Sequence, residues 1–325
     1  MEHGPLMRLR VEEGCRYIAL SHLTDATRAR GRLDDPEDTE ALHDMRVGLR
    51  RLRSLERAYR PQMSDSISKK LRRQLRELAG ATNVARDTEV QIEWLTEQRA
   101  ALNPRHRRGL EWMLEWLEQR KAAAYDGVRR QVAADFDAFA QKIDRRLRRY
   151  TAILAEEPTR FGAVTAQLVI GHADDLAAKL ARIESAFDDD AGHEARIAAK
   201  RLRYLVEPLR GEVEGAEQLV SRMKALQDLL GHMHDVAVLS TEIGRAMEEA
   251  SAERARKQHQ LAMTESDATA HAELRRDARP GLLALAHRAR ERRDELYTTL
   301  VKKWLGPETG VLIGQCRALA ERLSS

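Results

Sequence analysis

The stretch Leu42–Arg60, LHDMRVGLRRLRSLERAYR, returns at Gly192–Arg210 as GHEARIAAKRLRYLVEPLR. Aligned without a gap, seven of nineteen positions are identical: His43/His193, Arg46/Arg196, Arg51/Arg201, Leu52/Leu202, Arg53/Arg203, Leu55/Leu205 and Arg60/Arg210. Asp44/Glu194, Val47/Ile197 and Arg50/Lys200 are conservative exchanges. Solenoid repeats have periods of roughly 20–50 residues. A separation of about 150 residues therefore predicts two similar halves. Neither copy has a proline before its last turns, and both carry leucines at helical spacing, so both read as helices.

At roughly 100° per residue, His43, Arg46, Arg50, Arg53 and Arg57 share one arc of about 80°. Leu42, Met45, Leu49, Leu52 and Leu55 form the adjoining apolar face. In the second copy His193, Arg196, Lys200 and Arg203 repeat the arc, and Leu202, Leu205, Val206 and Leu209 take the apolar side. Glu207 stands where the first copy has Arg57, which weakens that end of the second stripe. Like charges stacked at i, i+3 and i+4 destabilise a helix by a few tenths of a kcal/mol per pair. A stripe kept in two copies against that penalty points to a polyanion, since guanidinium forks grip phosphate oxygens in pairs. The plain alternative is a solvated charged face.

The pattern His-x-x-Arg-Val-x-x-Arg-Arg-Leu-Arg at His43–Arg53, doubled in a helical chain of this length, resembles the CHAD family, the conserved-histidine α-helical domains. The resemblance covers essentially the whole chain. It implies two pseudo-symmetric helical bundles that bind inorganic polyphosphate through basic residues, and association with polyphosphate granules. The expected fold is all-α, with two pseudo-symmetric helical-bundle halves from an internal duplication, residues 1–157 and 158–325. The expected polyphosphate-binding residues are His43, Arg46, Arg50, Arg51, Arg53 and Arg76 in the first half. In the second they are His193, Arg196, Lys200, Arg201, Arg203 and Lys224. No cofactor, metal or catalytic residue is expected.

Of these residues, His43 and His193 could donate to phosphate or bridge between helices. Arg51 and Arg201 sit roughly 80° off the stripe, where they reach an anion from the side or pair with a carboxylate. Arg76 and Lys224 align on the following helix and are expected to flank the same groove. Lys69, Arg72 and Arg73 have no counterpart in the second half.

The net charge of +4 hides this pattern, because 52 acidic residues offset 56 basic ones, so the argument rests on placement. With 33% charged and only 4% aromatic residues, the composition is that of a helix-rich soluble chain. Cys15 and Cys316 are lone residues and form no CxxC or zinc pattern. The opening MEHGPLMRLR has no apolar signal core, and no apolar run approaches the roughly 20 residues that span a bilayer. A cytoplasmic protein without a membrane partner is expected; its oligomeric state is left open.

Along the chain, a first helix is expected over Arg8–Arg30, then an acidic linker with Pro36, then the basic helix, ended by Pro61. A third helix spans Ser64–Thr82, with Ser64 and Ser66 as caps. Asn83 and Gly231 mark helix stops, and Asp87 and Asp235 restart helices as N-caps, which is more economical than a catalytic or metal role. Asn103-Pro104 opens a long helical stretch to about Leu154, and Pro280 opens its counterpart, with Gly109 aligned on Gly281. A break falls near Pro158. Glu242–Arg279, charged and Ala-rich, is expected as helix extending into solvent.

Two rival functions follow from the same residues. A metal-dependent phosphohydrolase of the His-Asp type would use His22, His43, Asp44 and Asp87; against it, Asp44 becomes Glu194 in the second copy, so the duplicated feature is cationic. His232-x-His234-Asp235 is a weak metal pattern, since only the Asp repeats. Specific nucleic-acid binding is disfavoured, because no aromatics interleave the stripes for base stacking.

Overall fold

The computed structural model describes residues 6–33, 35, 38, 40–81, 83–127, 133–149, 159–264 and 277–324; the side chains of 83–86, 124–127, 133–134 and 264 fall outside that description. Twelve α-helices are described: α1 Val11–Arg32, α2 Ala41–Ala58, a short α3 Arg60–Met63, α4 Lys69–Ala81, α5 Asn83–Gln98 and α6 Pro104–Gly127. They continue as α7 Ala133–Arg148, α8 Phe161–Leu180, α9 Asp189–Val206, α10 Ala216–Thr264, α11 Arg279–Trp304 and α12 Pro307–Ser324. Among the described residues there is no strand, only an isolated antiparallel bridge between Arg10 and Arg160. The chain is all-α, as expected.

Both copies of the repeated stretch are helices of 18 residues, α2 and α9. Each is delivered by a helix and an acidic corner. At the first corner, the Asp38 carboxylate accepts from the backbone N–H groups of Glu40 and Ala41, at 3.1 and 3.0 Å. Arg32 grips Asp38 through two nitrogens and reaches Asp44 at 2.6 Å. At the second corner Arg182, 150 residues on from Arg32, makes the matching contact with Glu194 at 2.6 Å. The acidic residues at 44 and 194 therefore tie α2 to α1 and α9 to α8. Residues 34, 36, 37 and 39 of the first linker lie outside the described residues, as do 150–158, with the expected break at Pro158 and the end of the stretch to Leu154.

Two apolar cores hold the helices. The larger joins α1, α2, α4, α7, α8, α9, α12 and the start of α10. The smaller joins α5, α6, α11 and the middle of α10 through Leu95, Leu110, Met113, Leu239, Ile243 and Leu285. Each contains side chains from both sides of residue 157. Tyr59, 1% exposed, pins the end of α2 to α8: its ring stacks on Phe161 at 5.3 Å and its hydroxyl meets Thr165 at 2.7 Å. Where α6 crosses α11, Gly109 and Gly281 face each other. A Cβ on Gly109 would stand 2.6 Å from the Gly281 Cα, so only glycine permits the crossing.

Several local expectations are corrected. Asp87 lies inside α5 and Asp235 inside α10, so neither is an N-cap. Asn83 begins α5, and Gly231 is an interior residue of α10, a single helix of 49 residues. One glycine costs a helix only about 1 kcal/mol, and packing of Leu226, Leu230, Val236 and Leu239 on both sides of it outweighs that. Ser64 and Ser66 do not cap the next helix. Ser64 donates to the Pro61 carbonyl, Ser66 is buried and accepts from Arg16 Nε, and Ser68 Oγ accepts from Leu71 N–H at 3.4 Å instead. Asn103 does cap α6, accepting from His106 N–H at 2.9 Å. Within Glu242–Arg279, α10 continues to Thr264, with Ala246 and Ala250 buried and Glu253 accepting from the Trp112 indole at 3.0 Å. Residues 255–260 are exposed, and 265–276 lie outside the described residues.

Candidate functional site

The apolar faces of α2 and α9 are buried as the periodicity requires. Leu42, Met45, Leu49, Leu52 and Leu55 face the core from one, and Ala195, Ala198, Ala199, Leu202 and Leu205 from the other. Burying those faces packs the two helices together. Their basic stripes are then brought to one place: Lys200 lies in the field of Arg196, Arg50, Arg46 and Arg203. Burial first, and then these four guanidinium groups, push the Lys200 ammonium down to about 7. Arg196 is lowered mainly by burial; Asp235 and Asp87 oppose the shift, and Arg50 adds to it. Those two aspartates thus enter the site as counter-charge to Arg196.

Tyr204 joins the two stripes. It is 6% exposed, with the Arg203 guanidinium over its ring at 4.8 Å and that of Arg50 at 5.7 Å. The Tyr204 hydroxyl and the Nε atoms of Arg50 and Arg203 are buried and have no hydrogen-bond partner among the described residues. No carboxylate lies within ion-pair distance of Arg50, Arg53, Lys200 or Arg203 among those residues. A cluster of buried donors without acceptors is arranged for an anion that comes from outside.

His193 extends the cluster. Its ring lies 4.9 Å from that of His234 on α10. Burial and then the Arg196 charge push His234 down to about 4. His193 is lowered by burial, Arg196 and Lys200, so both imidazoles are neutral at pH 7. His43 is exposed near the start of α2.

The two off-stripe arginines have different surroundings. Arg51 crosses to Glu207, with contacts of 2.5 and 3.3 Å. This is the carboxylate pairing left open for it. Arg201 meets the position that corresponds to Glu207, which is Arg57. Its guanidinium is lowered by burial and then by Arg57, with Asp175 opposing and Arg53 adding. Arg53 in turn feels Arg57 and Arg76. One exchange, Arg57 against Glu207, therefore closes one side of the α2–α9 contact with a salt bridge. It leaves the other side basic, from Arg201 through Arg57 and Arg53 to Arg76 on α4. Two histidines flank these pairs: His22, pushed down to about 4 by burial and Arg51, and His172, lowered by burial and Arg201. Lys224 is exposed on α10, and nothing ties it to the cluster. Arg72 lies 3.6 Å from the buried Glu56, in a structural contact.

Tyr204 and His234 escaped the reading of the repeat because neither recurs: Ser54 aligns with Tyr204 and Arg86 with His234. The aromatic beside Arg203 was the available signal. His232 and His234 line different cavities, since residues two apart on a helix point roughly 200° apart. Among the described residues no group of three His, Cys, Asp or Glu side chains is placed to hold a metal ion. No helix of the described chain is long and apolar enough to cross a membrane.

Solved structures with this arrangement are known. The crystal structure of the CHAD domain from the plant Ricinus communis matches with a TM-score of 0.59 and 20% identity, over 96% of this chain and 93% of that one. PptA from Streptomyces chartreusis matches with a TM-score of 0.62 and 16% identity, over 89% of this chain and 100% of that one. At such identities the likeness concerns the fold. A comparison with curated proteins finds no match. The model of the CHAD domain matches residues 18–244, spanning the α2 and α9 stripes and the Asp87 and Asp235 helices, and the chain belongs to the CHAD family.

Proposed function

We propose that this protein binds inorganic polyphosphate, without catalysis, on the basic surface built by α2 and α9. The observation that carries the reading is the convergence of Arg46, Arg50, Arg196 and Arg203 on Lys200, which has no carboxylate within ion-pair distance among the described residues. A linear polyanion satisfies every part of this site. Its oxygens supply acceptors to the buried guanidinium nitrogens, and its charge relieves the mutual repulsion that depresses Lys200. The basic run through Arg201, Arg57, Arg53 and Arg76 offers a second set of contacts along one chain. The residues required by a His-Asp phosphohydrolase are engaged elsewhere: Asp44 pairs with Arg32, and His22 sits beside Arg51 and Glu207. In the cell this reading places the protein with polyphosphate, in the cytoplasm and at its granules.

The test is a competition titration. Chelator-treated protein is titrated with long-chain polyphosphate at near-physiological salt, with duplex DNA, single-stranded RNA and orthophosphate as competitors. A variant carrying Arg46→Ala, Arg50→Ala, Arg196→Ala and Lys200→Ala runs beside it. Polyphosphate should win over nucleic acid, the variant should lose binding, and log Kd should rise with log salt by about 0.7 per phosphate neutralised. Equal affinity for all polyanions, or an unaffected variant, overturns the proposal.

A further inference from the structure

Between α5 and α10, outside the basic cluster, lies an open cavity of about 310 Å³. Its walls are apolar on one side, with Val90, Val236, Leu239 and the ring of Trp94. Gln91 lines it at only 6% exposure, and its amide has no hydrogen-bond partner among the described residues. The amide opens onto the cavity, where its donor and acceptor are available to an occupant. Glu93 and Glu97 stand one turn apart at the exposed rim, and neither has a cationic partner among the described residues. Like charges at i, i+4 destabilise a helix. The single guanidinium in the lining, Arg292, is already bonded to Glu295 at 2.9 Å.

We propose that this cavity is a second binding site, for a small organic cation of the linear polyamine class. Methylenes of such a chain would lie on Val90, Val236 and Leu239. One ammonium would donate to the Gln91 carbonyl and face the Trp94 ring, and another would sit between Glu93 and Glu97. The volume is at the lower end of small-molecule pockets, about 300–1,000 Å³. An inorganic divalent ion would leave the apolar walls and the ring unused. The site is chemically opposite to the cluster at Lys200, and the proposal stands independently of polyphosphate binding.

The experiment is a calorimetric titration of the full chain with spermidine, in the absence of any polyanion. Trp94 fluorescence is followed in parallel against a Trp94→Phe control. The diamine 1,6-diaminohexane, the neutral 1,6-hexanediol and magnesium chloride serve as comparison ligands. Saturable one-site binding of spermidine and the diamine is expected, with no binding of the diol. The double variant Glu93→Gln, Glu97→Gln changes only exposed positions, and it should weaken binding by about tenfold or more. Gln91→Leu should weaken it further, while its helical circular dichroism stays that of the parent. The proposal is overturned by any of three results: no saturable binding, equal binding to the double variant, or displacement of spermidine by an equal concentration of magnesium. Since no polyphosphate is present, such a failure leaves the reading of the basic cluster untouched.

Discussion

Replacing Lys200 by Met should stabilise the free protein and cripple it as a binder. Lys200 sits among Arg196, Arg50, Arg46 and Arg203, and burial and their charges hold its ammonium at about 7 in place of 10.5. That depression amounts to several kcal/mol, at about 1.4 kcal/mol per tenfold change in the proton equilibrium. The side chain is half-buried, so solvent screening brings the expected gain to about 2 kcal/mol. Met keeps the unbranched stem and the helix propensity of Lys, so packing changes little. The sign has a pH signature. The folded value lies below the unfolded one, so the unfolded chain holds the extra proton between about pH 7 and about pH 10. Wild-type stability therefore rises with pH across that window, and the charge penalty is complete below pH 7. The variant should gain most at pH 6, and its advantage should fade toward pH 10. Urea midpoints at pH 6 and pH 9.5 measure both figures, and a polyphosphate titration at pH 6 should show affinity down by at least tenfold. A variant less stable than wild type at pH 6, or an advantage independent of pH, would refute the reasoning that repulsion is stored at this lysine.

Three further outcomes follow from the same geometry. At pH 8 most Lys200 is neutral in the free protein, and an arriving phosphate oxygen raises its proton affinity. Binding should take up protons, seen as a binding enthalpy that varies with the buffer's ionisation enthalpy, and affinity should fall as pH rises through 7. Arg57→Glu installs opposite Arg201 the residue that Glu207 presents to Arg51. It should stabilise the protein by about 1 kcal/mol and weaken polyphosphate binding several-fold, and a loss of stability would show that Arg201 is already satisfied. Gly109→Ala forces a methyl into the Gly281 backbone at the α6–α11 crossing. A loss of about 3 kcal/mol is expected in thermal or urea unfolding, against a gain of up to about 1 kcal/mol for Gly244→Ala inside α10, whose added carbon meets nothing within 4 Å.

Much of the fold was legible in local pattern. Leucine spacing placed α2 and α9, Pro104 and Pro280 placed the starts of α6 and α11, and the aligned glycines 109 and 281 turned out to touch. The failures were at helix ends. Gly231 and Asp235 carry stop and start signals worth about 1 kcal/mol each, and the cores on either side of α10 bury enough leucine and valine to override them.

The amino-acid sequence by itself determined that this protein would be helical, that its cationic residues would lie in two phased stripes, and that the stripes would differ where Arg57 aligns with Glu207. These are properties of periodicity and identity, which need no partner. Only the tertiary structure decided that the stripes meet, that Arg50 and Arg203 share the Tyr204 ring, and that among the described residues Arg51 has a carboxylate partner and Arg201 has none. The physical reason is range. A helical wheel fixes which residues share a face, and so puts Arg196 and Arg203 beside Lys200, but the field there also depends on Arg50 and Arg46, about 150 residues away. They are brought there by the burial of apolar faces that carry none of the charge.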